Sequence, residues 1–298
     1  MNGTRKNEII FSTSMFIFGT IGLFVKNVSL SSGEIALYRA LMAIVFLVVY
    51  FVISKRKFHF EAIKRELPFL FLSGAAMGVN WILLFEAYKY TTISVATLSY
   101  YFAPVLVVIL SPLIFKEKTG LMQWLCFIMS TIGIVLITGT GDVKKDFSDI
   151  KGIAFGLGAA VFYATVMLLN KFIKNVEGID RTLLQFISAT IVLIPYVIIS
   201  GENNLALLNG KGILCLLIVG FIHTGVTYCF YFSSIKELPG QKVAMLSYID
   251  PLVAVVDSVT VLGEGITVSQ IIGGVMILGF TLLNEISFSK KHKNAVGE

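Results

Sequence analysis

Long apolar runs recur along this chain, separated by short clusters of charged and turn-forming residues. A helix needs about 20 apolar residues to cross the hydrocarbon of a bilayer. Breaking the chain at those clusters predicts ten such runs, at 8–26, 33–54, 67–88, 93–115, 120–139, 151–171, 180–200, 212–234, 241–262 and 267–288. Lipid offers no partner to open backbone N–H and C=O groups, so each run is expected to be helical. The first run follows Arg5 and Lys6 but has no small-x-small cleavage site, so it reads as a retained helix rather than a removable leader. The expected fold class is an all-α membrane protein of ten transmembrane helices.

Charge supports this reading and orients it. Only 14% of residues are charged and 56% are apolar, against roughly 25% charged in a soluble domain. The net charge of +6 does not mark a nucleic-acid surface, because Lys and Arg lie between apolar runs and not along one face. With the N-terminus placed in the cytoplasm, alternate loops hold 17 Lys and Arg on the cytoplasmic side and 6 on the other, and Arg39 alone falls inside a run. That bias places both termini in the cytoplasm. The longest connections, around 55–66 and 140–150, are too short to hold a soluble domain. Cys126, Cys215 and Cys229 sit singly in apolar runs and offer neither a disulfide framework nor metal-ligand spacing.

Two stretches nearly repeat: ATLSYYFAP at 96–104 and AMLSYIDP at 244–251, with Glu117 and Glu264 each thirteen residues after the proline. Weaker echoes pair Phe18, Gly19 and Lys26 with Tyr163, Ala164 and Lys171. The copies fall in the fourth and ninth runs. Five helices therefore separate them, and the second half enters the bilayer from the opposite side. The expected division is 1–145 and 146–298, two inverted five-helix repeats around a central cavity, an arrangement that places a substrate site near the midplane between halves.

The order Asn80–Tyr90, then Tyr100-Tyr101-Phe102-Ala103-Pro104, then Lys116-Glu117, with Tyr248-Ile249-Asp250-Pro251 in the second half, resembles the EamA-type members of the drug/metabolite transporter superfamily. The resemblance covers essentially the whole chain. It implies a basket of helices around a cavity, with the fifth and tenth helices at the periphery, and export of amino acids, related metabolites or toxic compounds, with import in some members.

An ionisable side chain at the bilayer centre costs about 2.5–3.5 kcal/mol on insertion scales, so each one is a functional candidate. Asp250 and His223 fall near the midplane, Asn80 slightly outward, and Tyr100 and Tyr101 in the outer half of the fourth run. Ser247, Asp250, Ala254 and Asp257 share one helical stripe, and Thr97, Tyr101, Pro104, Val108 and Ser111 share another. Asn80, Tyr100, Tyr101, His223, Ser247 and Asp250 are therefore the candidate substrate-binding residues. Asp250, Asp257 and His223 are the candidates for proton coupling, with His223 a possible partner of Asp250. Arg39 and Glu86 have depths that allow a gating or structural ion pair, whereas Trp81 and Phe85 read as a core stripe and Trp124 as peripheral. Gly74 with Gly78, and Gly152 with Gly156, have the spacing that lets helices approach closely.

No phosphate-binding Gly-x-x-x-x-Gly-Lys-Ser/Thr loop is present, which excludes direct use of ATP through that motif. Three histidines, at 59, 223 and 292, are too few and too dispersed for a redox or hydrolytic site, so no cofactor, metal or catalytic residue is expected. The leading expectation is a proton-linked exporter of small metabolites. A uniporter or importer of an amine, a multidrug exporter, and a non-transporting scaffold or receptor are the alternatives. The expected partners are a small-molecule substrate and the lipid bilayer, with the chain a monomer or homodimer. A Lys-to-Arg ratio of 19 to 5 and abundant Ile point to a bacterial plasma membrane. Topology is open to a reporter test in bacterial cells. A C-terminal green fluorescent protein is expected to fluoresce, whereas alkaline phosphatase is expected to be active when inserted at Lys211 and inactive at the C-terminus.

Overall fold

The computed structural model describes residues 3–55, 60–115, 120–138, 147–176, 178–201, 203–235, 237–238 and 240–296. Glu117 lies outside them. Among the described residues every regular element is helical. The first half contains α1 (Gly3–Gly19), α2 (Ile21–Val25), α3 (Ser32–Ser54), α4 (Phe60–Tyr90), α5 (Ile93–Tyr100), α6 (Ala103–Phe115) and α7 (Leu121–Thr138). The second contains α8 (Phe147–Asn170), α9 (Gly178–Ser200), α10 (Gly210–Leu217), α11 (Thr227–Ile235), α12 (Gly240–Ser247), α13 (Ile249–Thr260) and α14 (Val268–Val296). A π-helical segment, Ile218–Val226, joins α10 to α11.

Seven stretches among the described residues are long and apolar enough to cross a membrane: Arg5–Val25, Ser32–Ser54, Ile63–Tyr90, Ile93–Phe115, Phe147–Asn170, Gly178–Ser200 and Gly210–Ile235. Leu121–Ile137 and Val268–Asn284 are shorter apolar helices. The run expected at 241–262 is divided into α12 and α13. Large apolar side chains face outward along these elements, with Val52, Ile53, Ile198 and Ile199 all more than 70% exposed. Exposed apolar surface on this scale suits lipid and not water.

Two helices are interrupted at the same point of the repeated phrase. A proline has no N–H, and its ring crowds the carbonyl four residues earlier. For Pro104 and Pro251 those residues are Tyr100 and Ser247, where α5 and α12 end. Pro68, Pro112 and Pro195 lie inside helices that continue, so a proline alone does not dictate a break.

Glycines set the helix spacing. A Cβ built on Gly74 would lie 2.4 Å from the Gln185 carbonyl oxygen, and one on Gly156 would lie 2.9 Å from Ser99 Cβ, so α4 rests on α9 and α8 on α5 at the points the glycine spacing marks. At Gly133 and Gly273 each added Cβ would meet the other residue's carbonyl, at 2.7 and 2.4 Å, which seats α7 against α14.

Three carboxylates close the ends of the bundle by taking backbone donors that helices leave unpaired. Glu34 accepts from the backbone of Ser31 at 2.9 Å and of Asn204 at 2.7 Å. Glu66 accepts from the backbone N–H groups of Lys174, Asn175 and Val176 at 2.9–3.2 Å. Glu264 accepts from the first N–H of α5, at Ile93, at 2.8 Å, and also binds Ser258 and Lys26.

Gly74→Ala is expected to destabilise by about 1–3 kcal/mol, because the added methyl meets backbone that cannot step aside. Gly279→Ala in α14, where nothing lies within 4 Å, is expected to be neutral or slightly stabilising. Thermal midpoints of the two purified variants in detergent check the difference.

Candidate functional site

The two interrupted helices meet at a hydrogen bond. Tyr101, at the break between α5 and α6, donates its hydroxyl proton to Asp250 Oδ2 at 2.6 Å, in the first turn of α13. The bond is short, as a hydroxyl bound to a carboxylate should be. Gly19 lets α1 lie directly against this turn, since a Cβ there would come within 2.5 Å of the Asp250 carbonyl oxygen. Tyr100 packs on the other side of Tyr101, edge-on at 5.8 Å, and stacks on Tyr163 of α8 at 5.1 Å.

A second polar centre forms around α3 and the π segment. Arg39 is 4% exposed; its Nε donates to Thr224 Oγ1 at 3.2 Å, and its guanidinium lies over the rings of Trp81 at 4.2 Å and Phe85 at 5.3 Å. A desolvated cation–π contact of this kind contributes about 2 kcal/mol. Gly220 and Gly225 make room for α3, where a Cβ would press on Met42 and Phe46 at 2.4 and 2.8 Å. In an α-helix, residues five apart diverge by about 140°. The π segment's wider turn brings these two glycines together against α3.

His223 lies in that segment, 1% exposed, with Nδ1 3.3 Å from the Ile218 carbonyl and Nε2 2.9 Å from Thr20 Oγ1. A carbonyl only accepts, so Nδ1 carries a proton. The Thr20 hydroxyl can turn its hydrogen to Nε2 or to the Ile17 carbonyl at 2.8 Å. In the first case the ring is neutral. In the second it donates from both nitrogens and is an imidazolium. The contacts therefore accommodate both charge states with one hydroxyl rotation.

Tyr88, Tyr100 and Tyr228 each lie within electrostatic reach of both Arg39 and Asp250. A cavity of about 380 Å³ opens at the Glu264 end, lined by Val25, Lys26, Val28, Ile35, Phe85, Tyr88 and Lys89. It is offset from the expected half-depth hollow, and Asp250 does not line it. Phe85 and Tyr88 connect its lining to the surroundings of Arg39.

Several expected groupings do not form. Arg39 and Glu86 are not paired: Glu86 accepts from Ser32 Oγ at 2.6 Å and binds Lys89 at 3.1 Å, being one position round α4 from the Phe85 face that carries Arg39. His223 bonds Thr20 and Ile218 and not Asp250. Asn80 is tied to α8 through the Ala159 carbonyl at 2.7 Å. Ser247 turns its hydroxyl back to the Val243 carbonyl at 2.8 Å, and the break at Tyr248 separates it from the stripe of Asp250. Asp257 is half-buried, and its buried Oδ2 has no hydrogen-bond partner among the described residues. Lys171 reaches Ser111 Oγ at 2.8 Å and lies over the Phe115 ring, so it ties α8 to α6. Trp124 is half-exposed. Tyr88, Tyr163, Tyr228, Thr20 and Thr224 were not anticipated. Gly220 and Gly225, flanking His223 at five-residue spacing, were the available signal for the last of these.

A helical bundle sheathed in apolar side chains, with ionisable groups held inside it, defines a polytopic membrane protein. Comparison with known proteins gives its family. A sequence profile described as the EamA-like transporter family matches residues 6–139 and again 150–285. The chain is similar to a Bacillus subtilis protein named uncharacterized transporter YxxF, at 31% identity over 265 residues, 89% of this chain and 84% of the relative. Protein RarD of Escherichia coli is 24% identical over 267 residues, 88% of this chain and 87% of the relative. Mouse solute carrier family 35 member G1 is 30% identical over 175 residues, 55% of this chain and 47% of the relative. A solved crystal structure shares the fold, with a TM-score of 0.66 over 96% of this chain and 98% of that chain at 14% identity. The protein is a member of the EamA-like transporter family, and its setting is a membrane.

Tyr101→Phe and Asp250→Asn form a double-mutant cycle with an expected coupling of about 1.5–3 kcal/mol, the range for a hydrogen bond to a charged group. Unfolding of the four proteins in detergent, followed by chemical denaturant, measures it.

Proposed function

We propose that the protein is a secondary active transporter, in which ten spans form two inverted repeats and a small metabolite, an amino acid or related compound, is exported across a bacterial plasma membrane in exchange for protons. The observation that carries this reading is the Tyr101–Asp250 bond between two helices broken at the same point of a repeated phrase. A break in each half provides a hinge, and a bond across the halves provides a contact that one state makes and another releases.

The coupling rests on competition for one carboxylate. A proton and a substrate ammonium cannot both neutralise Asp250, so protonation from outside displaces the substrate and loss of that proton to the cytoplasm restores the site. Only a ligand that distinguishes the two states shifts their populations. Asp257, whose buried Oδ2 lacks a donor, is the second proton-coupling candidate on the same helix. His223 is the third, through the two charge states its contacts accept.

Proteoliposomes test the proposal. Flux of at least one amino acid or related metabolite is expected, stimulated by a pH gradient in the exchange direction, and Asp250→Asn is expected to abolish the stimulation. Flux indifferent to the gradient favours the uniporter or amine-importer reading. Absence of flux for every solute in a broad metabolite and drug panel favours a scaffold or receptor.

A further inference from the structure

The Arg39 guanidinium is buried without the anion that such a charge ordinarily brings with it. Among the described residues no carboxylate pairs with it, and of its five N–H donors one is bound, to Thr224. The rings of Trp81 and Phe85 cover its π-face and leave the in-plane donors to be satisfied otherwise. Burying a guanidinium is unfavourable unless an anion or a full set of acceptors replaces its water.

The nearby carboxylates are already engaged. Glu264 holds Lys26 and Glu86 holds Lys89 at the cavity that Phe85 and Tyr88 line beside Arg39. The Asp250 carboxylate is engaged by Tyr101, and Tyr88, Tyr100 and Tyr228 lie within electrostatic reach of both it and Arg39. The interior thus holds a guanidinium at Arg39 with no carboxylate partner among the described residues and, apart from it, a carboxyl at Asp250. A planar fork of donors matches a carboxylate, as it does a phosphate, and a carboxyl at Asp250 suits the ammonium that an amino acid carries beside its carboxylate.

We propose that Arg39 is the docking residue for a carboxylate on the transported molecule, opposite Asp250, so that the substrate class is the small zwitterion and not the lipophilic amine. This rests on the transport reading. It assigns to the residue expected to gate or brace the bundle the task of selecting one end of the substrate.

Binding to the intact purified chain in detergent tests the proposal without interference from passive permeation. The probes are the common L-amino acids, their methyl esters and the corresponding decarboxylated amines, each titrated while the thermal midpoint is followed. At least one amino acid is expected to raise the midpoint, with its ester and its amine needing concentrations higher by about tenfold or more. Arg39→Gln is expected to weaken the acid by a similar factor and leave the amine unchanged. Arg39→Lys, which keeps the charge and loses the fork, is expected to fall between. If Arg39→Gln is not monodisperse, the Lys variant and the ester comparison decide. Esters or amines binding as well as the acid overturn the proposal, as does an Arg39 variant that still prefers the acid, or an unresponsive amino-acid panel. In that last case flux of some other solute in proteoliposomes keeps the transport reading intact, and its absence removes both.

Discussion

A carboxyl group held in an apolar bundle has to be met by a donor, and in this chain the donor comes from the opposite half. Tyr101 and Asp250 occupy the interruptions of two helices that carry the same phrase, and the 2.6 Å bond between them fixes α5, α6 and α13 relative to one another. The surrounding packing follows. Gly19 brings α1 against the turn that presents Asp250, and Gly156 brings α8 against α5. The helices upstream of the two prolines end at Tyr100 and Ser247, the residues whose carbonyls those rings crowd.

The ends of the bundle are closed by a different device. Glu34, Glu66 and Glu264 each collect backbone N–H groups from a distant part of the chain, so helix ends and loops are tied without long connections. Such carboxylates satisfy donors that helix termini leave open, and they do so at a depth where water competes poorly. The interior charges differ in kind. Arg39, His223 and Asp250 each have few partners, and Tyr88, Tyr100 and Tyr228 lie within electrostatic reach of both Arg39 and Asp250. The ends of the bundle are thus held by several hydrogen bonds each and the interior charges by few.

Much of the fold was legible because lipid removes alternatives. Apolar runs of fixed length can only be helices, and seven of those expected correspond to membrane-length helices, while 241–262 resolves into the pair α12 and α13. The glycine spacing at Gly74 and Gly156 marked real close approaches, and the repeated phrase marked both breaks. Side-chain partnerships were far less legible. Depth along a helix suggested Arg39 with Glu86 and His223 with Asp250, but depth says nothing about rotation. Glu86 is turned to Ser32 and Lys89, whereas Arg39 found the aromatic face next to it. The stripe of Ser247 and Asp250 is divided by the break at Tyr248, and the partners of His223 lie along a π segment, where α-helical periodicity cannot locate residues because the turn is wider. Asn80 shows the same limit: a polar residue in an apolar run can serve a neighbour's carbonyl as readily as a ligand.

Water access along α13 tests the central claim, that the Asp250 face borders an aqueous path between the halves. In a chain whose three native cysteines are replaced, Asp250→Cys and Leu252→Cys place a thiol at the carboxylate's own position on α13 and on the 55% exposed outer face of the same helix, respectively. A charged, membrane-impermeant thiol reagent applied to both sides of native membranes is expected to modify Cys at 250 and spare Cys at 252. Modification at 252 with protection at 250 would mean that the carboxylate's wall faces acyl chains, and the account would fail.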